Sequence, residues 1–455
     1  MAGKKIFKPL AAVLCIIVLA GVIVWQRNKQ QGAINGDMVT DYTSEKGGEE
    51  KRVDGEGADI NQLQMVSYPA RKEEQELDSA YLANLKEFYK SSIRDTLTSE
   101  NGENRVYSPV NLYLCMAMLT EMTDGKTKEQ LMDALGQTED EKVREQSRKI
   151  WEKVYMDDGI AKCILGDSIW LNQEIPFEKD VLKSLAENYY TETFQGKMGS
   201  EMDQRIQKWI NDMTGNKLKE EAGGIKTDAR TVFMLLSTAY FYDQWVTPFQ
   251  ENDTKEDVFT NADGEKVSCN FMNSQQFGNA YQTEHFQATV LEFENGNSML
   301  LVLPEKGVTA EDLLKKDMEE ILHLSADHGD AFAYGEVTLS LPKFEISSNL
   351  DLIPVMKNMG VTDLFETEDA DFTKLLGEES REKYPVFINK VQQASKAAVD
   401  ENGCSVASFT EVELRMGSAM PTEKFVIDCD HPFLFIISNY DGIPVFAGVV
   451  NQMEK

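Results

Sequence analysis

The chain has 455 residues, of which 42% are hydrophobic, and its formal net charge at pH 7 is −31. The apolar content is typical of a globular protein, whereas the strong negative charge argues against binding of nucleic acids or other polyanions. The six cysteines are too few and too scattered for a disulfide scaffold, and the sequence contains neither a Cys-x-x-Cys motif nor a metal-ligand cluster, so we expect no cofactor.

The N-terminus has the pattern of a membrane signal. Lys4, Lys5 and Lys8 precede an uncharged run at residues 9–25, and its length of about 17 residues is at the lower limit for a helix that spans a bilayer. A secretory signal peptide has similar features, but no Ala-x-Ala-like cleavage site ends the run. We expect residues 1–29 to form an uncleaved anchor at the cell membrane, with the lysine cluster in the cytoplasm and the folded domain on the other side. The alternative to an uncleaved anchor is a secretory signal peptide, and hence a secreted protein.

Residues 30–76 are polar and acidic, with little apolar periodicity. Such a composition cannot bury enough apolar surface to fold, so we expect a disordered tether that holds a domain away from the membrane. Residues 77–455 would form that domain. A single unit of about 380 residues is larger than most domains, but domains of this size exist.

The sequence of the predicted domain mixes helical periodicity, mainly in its first half, with β-rich runs, mainly in its second half. This distribution favours an α+β fold over an alternating parallel sheet. The clearest helical stretches are residues 82–91, 112–122 and 206–213, and the clearest β-rich runs are residues 231–242, 299–303 and 433–438.

No segment has the pattern of a catalytic site. The four histidines, one of which is His431, lie in no nucleophile motif, and Gly-x-Ser-x-Gly, His-Glu-x-x-His and glycine-rich phosphate loops are absent from the sequence. His431 has the strongest local context, but it precedes Pro432 at the start of a predicted strand, which favours a structural role. We therefore predict that the protein is not an enzyme.

Residues 401–435 form the most informative segment, because the part from Gly403 to Met416 alternates strictly. One face has small or apolar residues, and the other is mostly polar, as in a half-buried strand. The first face consists of Cys404, Val406, Ser408, Thr410, Val412, Leu414 and Met416, and the second of Ser405, Ala407, Phe409, Glu411, Glu413 and Arg415. Residues 417–421 then have no sheet propensity and are typical of an exposed loop. This combination predicts a segment that is a loop when intact and a strand when cut.

The segment resembles the reactive-centre loop of the serpin family, and similarity in the family's order extends across residues 77–455. Among the matching motifs are Tyr107-Ser108-Pro109-Val110, Trp209-Ile210-Asn211, Leu341-Pro342-Lys343-Phe344, Met359-Gly360-Val361-Thr362, Asp430-His431-Pro432-Phe433 and Gly448-Val449-Val450-Asn451. The resemblance implies the serpin fold, an α+β fold in which several helices pack on three β-sheets and the reactive-centre loop is exposed.

The resemblance also implies suicide inhibition. A serine protease attacks the loop, its serine is acylated, and the cleaved loop inserts as an extra strand into the main sheet. The partner would be a trypsin-, elastase-, chymotrypsin- or subtilisin-like serine protease, with a cysteine protease as a further candidate, and the inhibitor would be a monomer. The alternative is a non-inhibitory serpin that acts as a binding or carrier module or as a simple protease substrate.

Insertion requires that the inward face of the loop be compact and uncharged. The predicted hinge consists of Glu401, Gly403, Cys404, Val406, Ser408 and Thr410. Its inward-facing residues are all small or β-branched, which favours an inhibitor. Cys404 and Val406 depart from the Thr or Ser and the Ala that the family usually has.

The scissile bond has several candidates, which involve Arg415, Met416, Gly417 and Ser418. We rank Met416–Gly417 first, Arg415–Met416 second and Gly417–Ser418 third. Arg415–Met416 would suit a trypsin-like enzyme, and Met416–Gly417 or Leu414–Arg415 an elastase- or chymotrypsin-like enzyme. The family's usual spacing from the hinge indicates Gly417–Ser418.

The resemblance places Ser108, Asn111, Ser237 and Gln393 in the shutter, where the main sheet parts. The family often has Ser at the position of Asn111, Asn at the position of Ser237 and His at the position of Gln393. Because Asn and Ser side chains can both donate and accept, the Asn/Ser exchange would preserve one hydrogen bond with the roles reversed.

Overall fold

The computed structural model describes residues 13–19, 60–68, 76–99, 101–157, 161–214, 222–326, 331–383, 385–403 and 423–453. The helices are α1 (Ser79–Leu97), α2 (Pro109–Met122), α3 (Gly125–Ala134), α4 (Asp140–Val154), α5 (Lys179–Tyr189), α6 (Ser200–Thr214), α7 (Ala310–Lys316), α8 (Met318–Ser325), α9 (Ile353–Asn358), α10 (Thr373–Leu376) and α11 (Glu378–Lys383). Short 3-10 helices lie at Glu251–Asp253 and Asp363–Phe365.

The strands fall into two hydrogen-bonded sheets within the described residues. They are β1 (Val13–Leu19), β2 (Asn61–Gln64), β3 (Arg105–Tyr107), β4 (Met156–Asp157), β5 (Lys162–Asn172), β6 (Thr191–Gly196), β7 (Phe233–Tyr242), β8 (Lys255–Thr260), β9 (Lys266–Gln282), β10 (Phe286–Glu292), β11 (Ser298–Pro304), β12 (Ala333–Pro342), β13 (Phe344–Asp351), β14 (Gln392–Val399), β15 (Lys424–Asp428), β16 (Phe433–Ser438) and β17 (Pro444–Val450).

The first sheet, here called sheet A, has the strand order β13-β14-β1-β7-β5-β6-β2, with β4 paired to β5. Its neighbouring strands are antiparallel except for β5 and β6, which are parallel. On one face, residues of α6 such as Met202 and Ile206 pack in a cluster with Trp170, Leu236 and Ala394 of the sheet. The strand order puts β7 in the middle of the sheet and β14 next to the edge strand β13.

The second sheet, sheet B, has the order β15-β12-β9-β10-β11-β16-β17-β3, with β8 paired to β9. The predicted α+β fold is confirmed, but the described strands form two sheets where three were expected. The reason is β9: at 17 residues it is long enough to pair with β8 and β12 along most of its length and with β10 at its end. One strand thereby joins what would otherwise be separate sheets.

Helix α2 lies between the two sheets. Every residue of α2 except Glu121 is buried, and the helix contacts β7 and β1 of sheet A as well as β17 of sheet B. A helix that is apolar on all sides is stable only inside a core. The start of α2 suits its position, because Pro109 at the first helical residue has no N–H group to leave unpaired. Through its contacts with β7 and β1, α2 covers the second face of sheet A.

The structure differs from the sequence prediction at residues 9–25, where we expected a membrane-spanning helix. Val13–Leu19 is instead strand β1, and the remaining residues of the predicted anchor lie outside the described part of the chain. Among the residues that the structure describes, no helix is long and apolar enough to span a membrane. An unbroken run of apolar residues also suits a strand buried on both faces, and periodicity alone does not separate the two interpretations.

The predicted tether at residues 30–76 also needs correction, because residues 60–68 belong to the fold. Strand β2 pairs with β6 at the edge of sheet A, and Ile60 packs against the cluster beneath α6. The ring of Tyr68 stacks on Trp151 and Tyr155 at centroid distances of 5.6 and 5.2 Å. Apolar residues within the acidic segment thus find partners that only the folded domain provides.

Candidate functional site

The predicted hinge begins where β14 ends. Gly403 has a φ of +88°, and a Cβ atom at this position would lie 2.7 Å from the backbone nitrogen of Trp245, so the site requires glycine. The indole N–H of Trp245 donates to the carbonyl of Asp400 at 3.0 Å. The backbone N–H of Trp245 donates to the carbonyl of Asn402 at 3.3 Å. These bonds hold the start of the loop against the segment that follows β7.

Glu401 is anchored by two side chains. The Nζ of Lys343 lies 2.7 Å from Oε2, and the hydroxyl of Thr254 donates to Oε1 at 2.7 Å. Burial by itself would raise the pKa of Glu401, but the hydrogen bonds from Lys343 and Thr254 outweigh it and lower the pKa below its ordinary value. The carboxylate is therefore ionised at neutral pH and ties the predicted hinge to the residue between β12 and β13 and to the segment before β8.

The remaining predicted loop residues lie outside the described part of the chain. They include the hinge residues Cys404, Val406, Ser408 and Thr410 and the scissile-bond candidates Arg415, Met416, Gly417 and Ser418. The described residues on either side are Gly403, which follows the end of β14 in sheet A, and Glu423, which lies immediately before β15 on the edge of sheet B.

The four predicted shutter residues come together at the middle of sheet A, and all are buried. The Oγ of Ser237 donates to Oδ1 of Asn111, which is the hydrogen bond expected from the Asn/Ser exchange. The backbone N–H of Ser108 donates to Oε1 of Gln393 at 2.8 Å, and Nε2 of Gln393 donates to the carbonyl of Ser108 at 3.2 Å. Side chains of β7 and β14 are thus both bonded to the start of α2.

Asp167 is a residue of this region that the sequence analysis missed. It lies on β5, directly opposite Ser237 in the register with β7, and it is buried. Burial raises the pKa of Asp167 to about 7, although hydrogen bonds with Ser237 and Trp151 act in the opposite direction. The signal in the sequence was a single acidic residue within the apolar run of β5.

Between β7 and β14 lies a position for one strand, which β1 occupies. Residue Ile17 of β1 is paired with Ser237 on one side and with Gln393 on the other, so β1 passes through the shutter. β1 runs antiparallel to both neighbours. We call this position the central gap of sheet A.

Both ring nitrogens of His431 have hydrogen-bond partners. His431 has its Nδ1 atom 2.7 Å from Oδ1 of Asp430 and its Nε2 atom 3.0 Å from the carbonyl oxygen of Pro304. These contacts join the end of β11 to the residues before β16, which is a structural role. Within the described ranges, no group of three or more His, Cys, Asp or Glu residues is arranged to hold a metal ion.

Comparisons with known proteins agree with this architecture. A family model described as "Serpin (serine protease inhibitor)" matches residues 83–453. Plasminogen activator inhibitor 1 of Sus scrofa is 26% identical over 376 residues, covering 79% of this chain and 89% of the relative. Serpin-Z1C of Triticum aestivum is 25% identical over 366 residues, covering 77% and 91%.

Solved structures show the same fold. The thermophilic serpin tengpin in its native state aligns with a TM-score of 0.71 at 24% identity, covering 84% of this chain and 96% of that one. Serpin48 of the insect Tenebrio molitor aligns with a TM-score of 0.67 at 22% identity, covering 84% and 100%. Serpins are generally protease inhibitors rather than catalysts. Because the family model spans most of the sequence and the fold agrees with it, this chain belongs to the serpin family.

Proposed function

We propose that this protein inhibits serine proteases as a suicide substrate. The observation that carries the proposal is the relation between the hinge and the central gap. Gly403 follows β14 after a short turn, so a cleaved loop that folds back at the hinge must run antiparallel to β14. The central gap lies beside β14 and holds a strand in that direction.

The chemistry requires a peptide bond within residues 415–418. The serine Oγ of the protease attacks the carbonyl carbon, the C–N bond breaks, and the amine of the following residue takes up a proton and leaves. The new C-terminus is then an ester of the protease serine. Inhibition results when the loop inserts before water hydrolyses that ester.

The dimensions suit a long displacement of the acylated protease. A strand of about 14 residues spans ~45 Å at about 3.3 Å per residue. A domain of about 380 residues has a radius of gyration near ~21 Å and hence a diameter of roughly 50–55 Å. Full insertion would carry the protease across most of the domain, which supports distortion of its active site as the trapping step.

The driving force would be pairing of the cleaved loop with β7 and β14 in a central gap from which β1 is absent. Each new ladder hydrogen bond contributes about 0.5–1.5 kcal/mol, and apolar side chains on the inserted strand would be buried. The alternation of residues 403–416 supports insertion, because the face with Val406, Ser408 and Thr410 carries no charge. Charges such as Glu411 and Glu413 would have to lie on the opposite face.

We further place the inhibitory domain outside the cytoplasm. Serpins are mostly extracellular or secreted. The lysines before residues 9–25 support retention of the N-terminus in the cytoplasm, with that apolar run as a membrane anchor. Treatment of intact cells with an added protease tests this placement, since the domain must be accessible there while the protein remains in the membrane fraction.

The experiment that tests inhibition uses the full chain and a panel of trypsin, elastase, chymotrypsin and subtilisin. We expect a covalent complex that survives denaturing electrophoresis with at least one of them, and the mass of the released C-terminal peptide identifies the scissile bond. The matched control is the same protease with its serine blocked, which must give no complex. Clean cleavage by the whole panel without a covalent complex would refute the proposal and favour the non-inhibitory alternative.

A further inference from the structure

We propose that the N-terminal strand Val13–Leu19 is a built-in competitor of the reactive-centre loop. It occupies the central gap of sheet A, and it has to leave before a cleaved loop can insert. The effect on inhibition rests on the proposed inhibitory function. The position of β1 in the central gap rests only on its strand pairing.

The register shows how far β1 extends along the gap. On one side β1 is paired with β7 from Val13 opposite Phe241 to Leu19 opposite Leu235. On the other side it is paired with β14 from Leu14 opposite Lys396 to Val18 opposite Gln392. Both ladders are antiparallel, which is the direction that a loop folding back from β14 requires. The two segments therefore compete for the same backbone hydrogen bonds.

The composition of the N-terminal strand suits this position. Sheet A is covered on one face by the cluster of α6, which includes Leu236 and Ala394 beside the gap, and on the other face by α2. A central strand that is buried on both faces is typically an unbroken apolar run. The sequence of β1, VLCIIVL, is such a run, whereas the loop segment has charged residues such as Glu411 on one of its faces.

The chain between β1 and the domain is long enough for this arrangement. Residues 20–59 number 40, and a fully extended chain of that length spans at most ~130–145 Å. That length exceeds the diameter of the domain. It therefore permits the N-terminal strand to enter the gap of its own domain.

Occupation of the gap and insertion into a membrane exclude each other, because both use residues 13–19. In an aqueous environment β1 is paired within sheet A and the loop has no place to insert. In a membrane the same run is removed from the sheet and the gap becomes available. The N-terminal segment would thus couple the inhibitory state of the domain to membrane insertion.

The test uses the detergent-free full chain and the substitution Ile17→Pro. Proline removes a backbone N–H donor and is not tolerated in a central strand. The matched control is Val22→Pro, which makes the same change in the same apolar run but outside β1. Equal circular dichroism spectra of the three proteins establish that the domain is folded in each.

Amide hydrogen exchange of β7 and β14 measures the occupancy directly. We expect exchange in these strands to be at least about tenfold faster in Ile17→Pro, equivalent to ~1.4 kcal/mol, and unchanged in Val22→Pro. Formation of covalent complexes with the reactive protease should accelerate by a similar factor in Ile17→Pro alone. Unchanged exchange in Ile17→Pro would overturn the proposal.

The two proposals fail in different ways. If exchange accelerates in Ile17→Pro alone but no variant forms a covalent complex, the occupancy stands and suicide inhibition is refuted. If covalent complexes form at equal rates in all three proteins, inhibition stands and competition by β1 is refuted.

Discussion

The hydroxyl of Ser237 on β7 donates a hydrogen bond to the side-chain oxygen of Asn111 on α2, inside the core of the protein. Both residues are fully or almost fully buried. Because Ser237 borders the central gap, this bond fixes one wall of the gap to the helix behind it. The wall on the other side is fixed through Gln393 and Ser108.

The bond between Asn111 and Ser237 predicts a specific pattern of mutational coupling. Asn111→Ser alone leaves the buried hydroxyl of Ser237 without its partner, and Ser237→Asn alone places a larger side chain in the same buried space. Each change should destabilise the protein by about 1–3 kcal/mol. The double exchange restores one donor and one acceptor and should cost less than either single change. Thermal unfolding of the four proteins measures the effect. Simple additivity of the two changes would contradict the pairing.

The raised pKa of Asp167 predicts that stability depends on pH. The folded protein binds the proton of the Asp167 carboxyl group more tightly than the unfolded chain does. This carboxyl group therefore does not reduce the free energy of unfolding below its ordinary pKa of 3.8, and reduces it progressively as pH rises to about 7. Above that pH the free energy of unfolding is lower by about 4 kcal/mol. Asp167→Asn removes this dependence, so its unfolding temperature should fall less than that of the unchanged protein between pH 5.5 and 8. Parallel curves for the two proteins would show that Asp167 does not titrate there.

The ion pair between Lys343 and Glu401 predicts the effect of charge removal at the hinge. Lys343→Ala leaves a carboxylate that is 6% exposed without its cation, and we expect a loss of about 1–3 kcal/mol in stability. Lys343→Arg keeps the charge and serves as the matched control. Because the pKa of Glu401 is lowered in the folded protein, the stabilisation is present at neutral pH and disappears as pH falls below about 4–5. An equal unfolding temperature for the Ala and Arg variants would contradict this role.

The loop sequence predicts a separation of protease targets. Arg415→Ala should abolish inhibition of trypsin-like enzymes, because their acidic pocket binds a basic side chain. Inhibition of elastase-like enzymes, which would use Met416, should persist and is the internal control. Complex formation with both enzyme classes is measured on denaturing gels. Unchanged inhibition of trypsin would exclude Arg415 as the specificity determinant.

The shutter illustrates how far sequence resemblance reaches. Ser237 and Gln393 are far along the chain from Ser108 and Asn111, yet the resemblance placed all four in one region, and the structure brings them together. Asp167 lies in the same region, opposite Ser237, but the sequence analysis did not predict it. Its role depends on burial and on cross-strand neighbours, which strand periodicity does not reveal.

The sequence by itself determined the family, the α+β class and the alternating pattern of residues 403–416, because these depend on residue identity and local spacing. Only the tertiary structure decided that Val13–Leu19 is a strand between β7 and β14, that residues 60–68 belong to the domain, and that Asp167 lies opposite Ser237. The physical reason is shared by all three. A short apolar run, an edge strand and a buried carboxyl group acquire their conformation or pKa from neighbours that are distant in the chain.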